Sequence, residues 1–109
     1  MTILDPDVYD KAADIVEKHG LSKGLYRDEN GCYCVAGAIM AAIDGEFPRY
    51  EPAVFPARWA EYTDAFRWNL GIPSVTRWND HPDRTAEEVV NALRGTCRAV
   101  RGANRGVAK

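Results

Sequence analysis

Reactive and cross-linking residues are scarce in this sequence: 109 residues hold only three cysteines and two histidines. The cysteine count is odd, and Cys32 and Cys34 are separated by one residue, not by the two of a redox or zinc C-x-x-C pair. Free thiols in a reducing, cytoplasmic setting are the expectation. A metal site would have to draw on Cys32, Cys34, His81 and Cys97, whose spacing is wrong for zinc, so no metal and no cofactor is expected. Glycine-rich phosphate loops, nucleotide fingerprints and paired-carboxylate hydrolase signatures are missing as well. The longest apolar stretch, Cys32 to Ile43, is shorter than the roughly 20 residues that cross a bilayer, which argues against a membrane partner. The start, Met1 to Asp7, lacks the basic residues and apolar run of a secretory signal.

What is present suits one folded domain. Hydrophobic residues make up 46% and charged residues 28% of the chain, ordinary globular proportions that allow a single core. The net charge of −2 hides an asymmetry, because all 16 acidic residues precede Arg94. The C-terminal end, with Arg94, Arg98, Arg101, Arg105 and Lys109, is purely basic, a handle for an acidic partner.

The pattern predicts an all-α fold of four main helices around a central alanine- and glycine-rich helix. Asp5-Pro6 starts the first helix, Val8, Ala12, Ile15, Val16 and His19 share its face, and Gly20 stops it. Residues 21–33 read as a connector with a short hairpin at 25–33 around Asp28-Glu29-Asn30-Gly31. Cys34 to Ile43 is apolar on all sides, the signature of an enclosed hub helix, with small residues that let neighbouring backbones approach. Pro48, Pro52 and Pro56 make 46–56 an aromatic-rich loop. A third helix to Leu70 turns Trp59, Thr63, Phe66 and Leu70 towards the hub, and 74–84 reads as a loop. The capping box Thr85-Ala86-Glu87-Glu88 opens the fourth helix, whose inner stripe is Ala86, Val89, Val90, Leu93, Cys97 and Val100. That stripe is expected to lie along the hub, in a domain spanning 1–102 with 103–109 as a flexible basic tail.

The segments Gly31-Cys32-Tyr33-Cys34-Val35-Ala36-Gly37-Ala38-Ile39, Thr76-Arg77-Trp78-Asn79-Asp80 and Arg84-Thr85-Ala86-Glu87-Glu88-Val89 carry a resemblance. Together they resemble a family of small uncharacterised proteins from actinobacteria and their bacteriophages. The resemblance implies such a setting and brings no mechanism with it.

Candidate functional residues fall into three groups. Cys34 at a helix start, with His81 and Asp80 or Asp83, is the arrangement a cysteine-dependent hydrolase or transferase would use, since helix N-termini stabilise thiolates. An apolar hub argues instead for an inert core thiol. Trp68 points almost opposite to the Trp59–Leu70 stripe, so either the proline-rich loop or the Tyr26 segment covers it or it anchors a partner. Arg94, Arg98, Arg101 and Arg105, spaced i, i+4, i+7, i+11, form a stripe for an acidic partner or, nonspecifically, for nucleic acid. The favoured expectation is a non-enzymatic interaction module that binds a cytoplasmic host protein through Trp68, Arg94, Arg98 and Arg101.

Overall fold

The computed structural model describes residues 3–45 and 57–107. Among these described residues five helices form, in the order α1 (Asp7–His19), α2 (Val35–Asp44), α3 (Ala57–Leu70), α4 (Val75–Asp80) and α5 (Ala86–Val107). The aromatic-rich loop expected at 46–56 lies outside the described residues.

Helix α1 begins where the Asp5 carboxylate accepts the Asp7 N–H at 2.9 Å. It buries Val8, Tyr9, Ala12, Ala13 and Val16, and Gly20 closes it at φ +96° by donating its N–H to the Val16 carbonyl. Helix α2 is buried on every side from Val35 to Ala41. In the connector the Asp28–Gly31 turn forms, its Asp28 carboxylate accepting the Asn30 and Cys32 N–H groups. Only two isolated bridges, Leu21 with Tyr33 and Arg27 with Tyr33, stand where a hairpin was expected, and no strand occurs among the described residues. Tyr33 serves both bridges, and the chain enters α2 at Val35 before a ladder can extend.

Three further departures from the sequence reading have local causes. Residues 75–80, read as loop, are helical because the Ser74 hydroxyl caps them, accepting the Arg77 N–H at 3.2 Å. Helix α5 does not fray at Gly102 but runs through Val107. Its end is tied to the N-terminal segment by Asn104, which donates to the Leu4 carbonyl at 2.8 Å, and by an Arg101–Asp7 ion pair. The main neighbour of α5 is α1, with a smaller contact to α3, so α1 rather than α2 runs along the longest helix. The apolar stripe of α5 is nonetheless the expected one: Val89, Val90, Leu93 and Cys97 are buried and Ala86 and Val100 half-buried.

On α3 the inward side chains are Thr63, Phe66 and the unanticipated Tyr62. The Tyr62 hydroxyl accepts the Asp5 N–H at 2.8 Å, and its carbonyl accepts the Tyr9 hydroxyl at 2.7 Å. Half-buried Trp59 donates its indole N–H to the Ala36 carbonyl at 2.9 Å, which pins α3 on α2. The hub helix depends most on Gly37, where a Cβ would collide with the Tyr26 carbonyl. That carbonyl also accepts the Cys34 N–H at 3.1 Å, so it cannot retreat freely. Gly37→Ala should therefore destabilise the fold by about 2–3 kcal/mol in urea unfolding, since overpacking outweighs the ~1 kcal/mol that alanine gains in helix propensity.

Candidate functional site

Two regions combine accessible chemistry with a defined scaffold. The first lies where the 20–34 connector, the start of α2 and α4 meet. Helix α4 is seated by Trp78, whose ring packs edge-on against Phe66 at 5.6 Å and carries the Arg84 guanidinium 4.1 Å above its centre. Arg84 also donates to the Trp78 carbonyl at 2.9 Å and to Glu88 at 2.7 Å, so the Glu88 carboxylate turns to Arg84 and the Thr85 hydroxyl. The Thr85 hydroxyl in turn accepts the Glu88 N–H, the cap expected from sequence.

This seating delivers Asn79 into the interior at 1% exposure. Its carbonyl oxygen accepts the Val35 N–H at 3.0 Å, and its amide donates to the Ser22 carbonyl at 2.9 Å and the Asp80 carboxylate at 3.0 Å. Asp80 Oδ1 accepts the Gly24 N–H as well, at 3.0 Å. Lys23 completes the junction by donating to the His81 and Pro82 carbonyls. From sequence Asn79 stands out only as a member of the Thr76–Asp80 segment, and its joining of three segments is not evident there. Its place between Trp78 and Asp80 in the family-like Trp-Asn-Asp motif was the available signal.

Cys34 is the N-cap of α2, its sulfur accepting the Gly37 N–H at 3.3 Å. Burial pushes its thiol up to about 11; the Gly37 and Ala36 N–H groups at the helix start oppose this shift, and the Asp80 charge adds to it. His81 is exposed, and its Nδ1 accepts the Asp83 N–H at 3.1 Å. No hydrogen bond joins Cys34 to His81 among the described residues. Cys34 and Asp80 share a cavity of about 130 Å³ with Leu25, Tyr26, Val75 and Thr76, and His81 does not line it.

The second region is the outer side of α3. Trp68 is 81% exposed beside a shallow groove of about 420 Å³ whose floor and walls include Ala65, Ala99, Val100 and Ala103. The Tyr26 segment does not cover it, because Tyr26 packs edge-on against Trp59, with ring centres 6.2 Å apart. Asp64 and Arg67, 3.8 Å apart, flank the groove.

The arginine stripe divides between two tasks. Arg94 pairs with Asp14 at 2.8 Å, Asp10 at 3.4 Å and Glu17 at 3.5 Å, and Arg101 pairs with Asp7 at 3.1 Å. Their charge is engaged by α1. Arg98 and Arg105 are exposed and have no ion-pair partner among the described residues.

A family model matches residues 2–99, nearly the whole chain. The protein belongs to DUF6197, a family of unknown function. No curated protein and no solved structure matches it. The DUF6197 match spans all of α1 to α4 and most of α5; it covers the junction and the α3 side of the Trp68 groove but ends before Val100 and Ala103. Among the described residues of this DUF6197 chain no cluster of three or more His, Cys, Asp or Glu side chains could hold a metal ion. No helix among them is long and apolar enough to cross a membrane.

Two measurements check the junction. Asn79→Ala leaves the Val35 N–H and Ser22 carbonyl without their partner and should cost about 3 kcal/mol in chemical denaturation. Because the Cys34 thiol holds its proton more tightly folded than unfolded, its stabilising contribution is complete below about pH 9 and lost as pH rises towards 11. Native Cys34 should accordingly react with iodoacetamide at least ~10-fold more slowly than in the urea-unfolded chain at neutral pH.

Proposed function

We propose that this DUF6197 chain is a non-enzymatic interaction module, an accessory protein of actinobacterial or phage origin that binds a cytoplasmic host protein. The observation that carries the reading is Trp68. A tryptophan at 81% exposure keeps a large apolar surface in water, a cost a folded domain normally avoids unless a partner removes it. Its neighbours suit the purpose: Ala65, Ala99 and Ala103 leave room beside the indole for an incoming apolar side chain. Tryptophan and arginine, placed together on a surface, supply most of the energy of many protein interfaces.

Charge narrows the partner's chemistry. Arg98 sits on α5 directly before Ala99 in the groove wall, and Arg105 lies two residues beyond Ala103. Neither cation lines the groove itself, so the complementary element is an apolar side chain for the groove, with acidic residues that reach round α5 to both arginines. Arg94 and Arg101 contribute indirectly in this reading, by holding α5 against α1 so that the groove keeps its shape. The buried, hard-to-ionise thiol of Cys34 supports a role that does not depend on a nucleophile.

The test is recovery of a partner from actinobacterial cells with the native chain and with two surface variants, Trp68→Ala and Arg98→Glu. A genuine partner should bind the native chain and lose at least ~30-fold in affinity on Trp68→Ala, with a smaller, salt-dependent loss on Arg98→Glu. Recovery of no partner, or of one indifferent to Trp68, counts against the module.

A further inference from the structure

We propose that the cavity beside Asp80 is a binding site for a small organic ammonium ion, a primary alkylamine of about five or six heavy atoms. This site is separate from the Trp68 groove and does not rest on the interaction reading.

The ligand's charge follows from Asp80. One carboxylate oxygen, Oδ1, accepts both the Gly24 N–H and the Asn79 amide. The other oxygen has no hydrogen bond and no ion pair among the described residues, and it is not sealed from solvent. Among the described residues no Lys or Arg forms an ion pair with Asp80: Lys23 is committed to the His81 and Pro82 carbonyls and Arg84 to Glu88. A half-buried carboxylate that is held rigidly on one side and open on the other is a preorganised acceptor for a cationic donor. An anion would be repelled, and a neutral guest would leave the charge uncompensated.

The rest of the lining sets the size and character of the guest. Leu25, Tyr26, Val75 and Ala36 give apolar walls suited to an alkyl chain, and Thr76 places a hydroxyl at the margin. Cys34 also faces the cavity, and with its proton retained it acts as a soft neutral wall. The volume of about 130 Å³ is close to the ~150 Å³ of an apolar cavity that accommodates benzene, which limits the guest to about six heavy atoms. A divalent metal is poorly served, because Asp80 and Cys34 fall short of a metal-binding cluster.

The position of the site gives binding a structural consequence. The Gly24 N–H, the Asn79 amide and, through Asn79, the first N–H of α2 all report on Asp80. Occupancy should therefore be visible in the backbone amides of Gly24, Val35 and Thr76.

The experiment is titration of the isotope-labelled full chain with n-butylammonium, 1-butanol and butyrate, followed by amide chemical shifts. Saturable shifts confined to Gly24, Val35, Thr76 and their neighbours are expected for butylammonium, with a dissociation constant on the order of 1 mM. Butanol should bind at least ~10-fold more weakly and butyrate should give no saturable shift. Asp80→Asn, which can keep the acceptor for Gly24 while replacing the open oxygen with a donor, should weaken butylammonium by a similar factor. The proposal is overturned if butylammonium fails to saturate, if butanol binds as tightly, or if binding survives Asp80→Asn. The comparison of three guests on the native chain stands even if that variant does not fold.

Discussion

The side-chain amide of Asn79 is the point at which the connector, the start of α2 and α4 are joined through one buried group. Its oxygen accepts the first N–H of α2, and its nitrogen donates to the Ser22 carbonyl of the connector, while Asn79 itself belongs to α4. A helix end and a loop carbonyl buried together would each cost free energy if unmatched, and one buried amide satisfies both. Much of the local geometry follows from it. The connector is brought over the start of α2, so the Tyr26 carbonyl lies against Gly37 and Cys34 becomes a shielded cap rather than an open helix terminus.

That shielding governs the chemistry of the thiol. The N–H groups at the start of α2 favour thiolate, and removal of water disfavours it; the outcome, a thiol pushed up to about 11, shows that dehydration prevails. The same junction leaves one oxygen of Asp80, a residue that lines a small cavity, without a hydrogen bond among the described residues. Structural bonding and an accessible polar group coexist on one residue because a carboxylate has more acceptor capacity than its two internal donors use.

Elsewhere in the fold, α1 and α5 meet through an apolar core bordered by charge. Asp7, Asp10, Asp14 and Glu17 recur at three- and four-residue intervals on α1, and Arg94 and Arg101 stand two turns apart on α5 facing them. Such partly exposed pairs contribute little each, so their effect is to select the lateral alignment of two helices already driven together by apolar burial. With these cations occupied, α5 retains Arg98 and Arg105 as exposed cations with no ion-pair partner among the described residues.

The identity of the four long helices, the inner face of α5, the Thr85 cap, the enclosed character of α2 and the outward direction of Trp68 were legible from residue spacing, whereas the α1 face was only half so, since Tyr9 and Ala13 are buried and His19 is exposed. Each depends on neighbours within a few positions, where backbone periodicity and capping chemistry act directly. Helix α4 was missed because a six-residue helix capped by Ser74 leaves too little periodicity to distinguish it from a loop. Only the tertiary structure decided that Arg94 would direct its charge to Asp10, Asp14 and Glu17 on α1, that α5 would follow α1, and that Cys34 would share a cavity with Asp80 rather than with His81. Local sequence sets which face a helix offers. Which partner meets that face depends on the summed burial, charge and hydrogen bonding of residues distant in the chain.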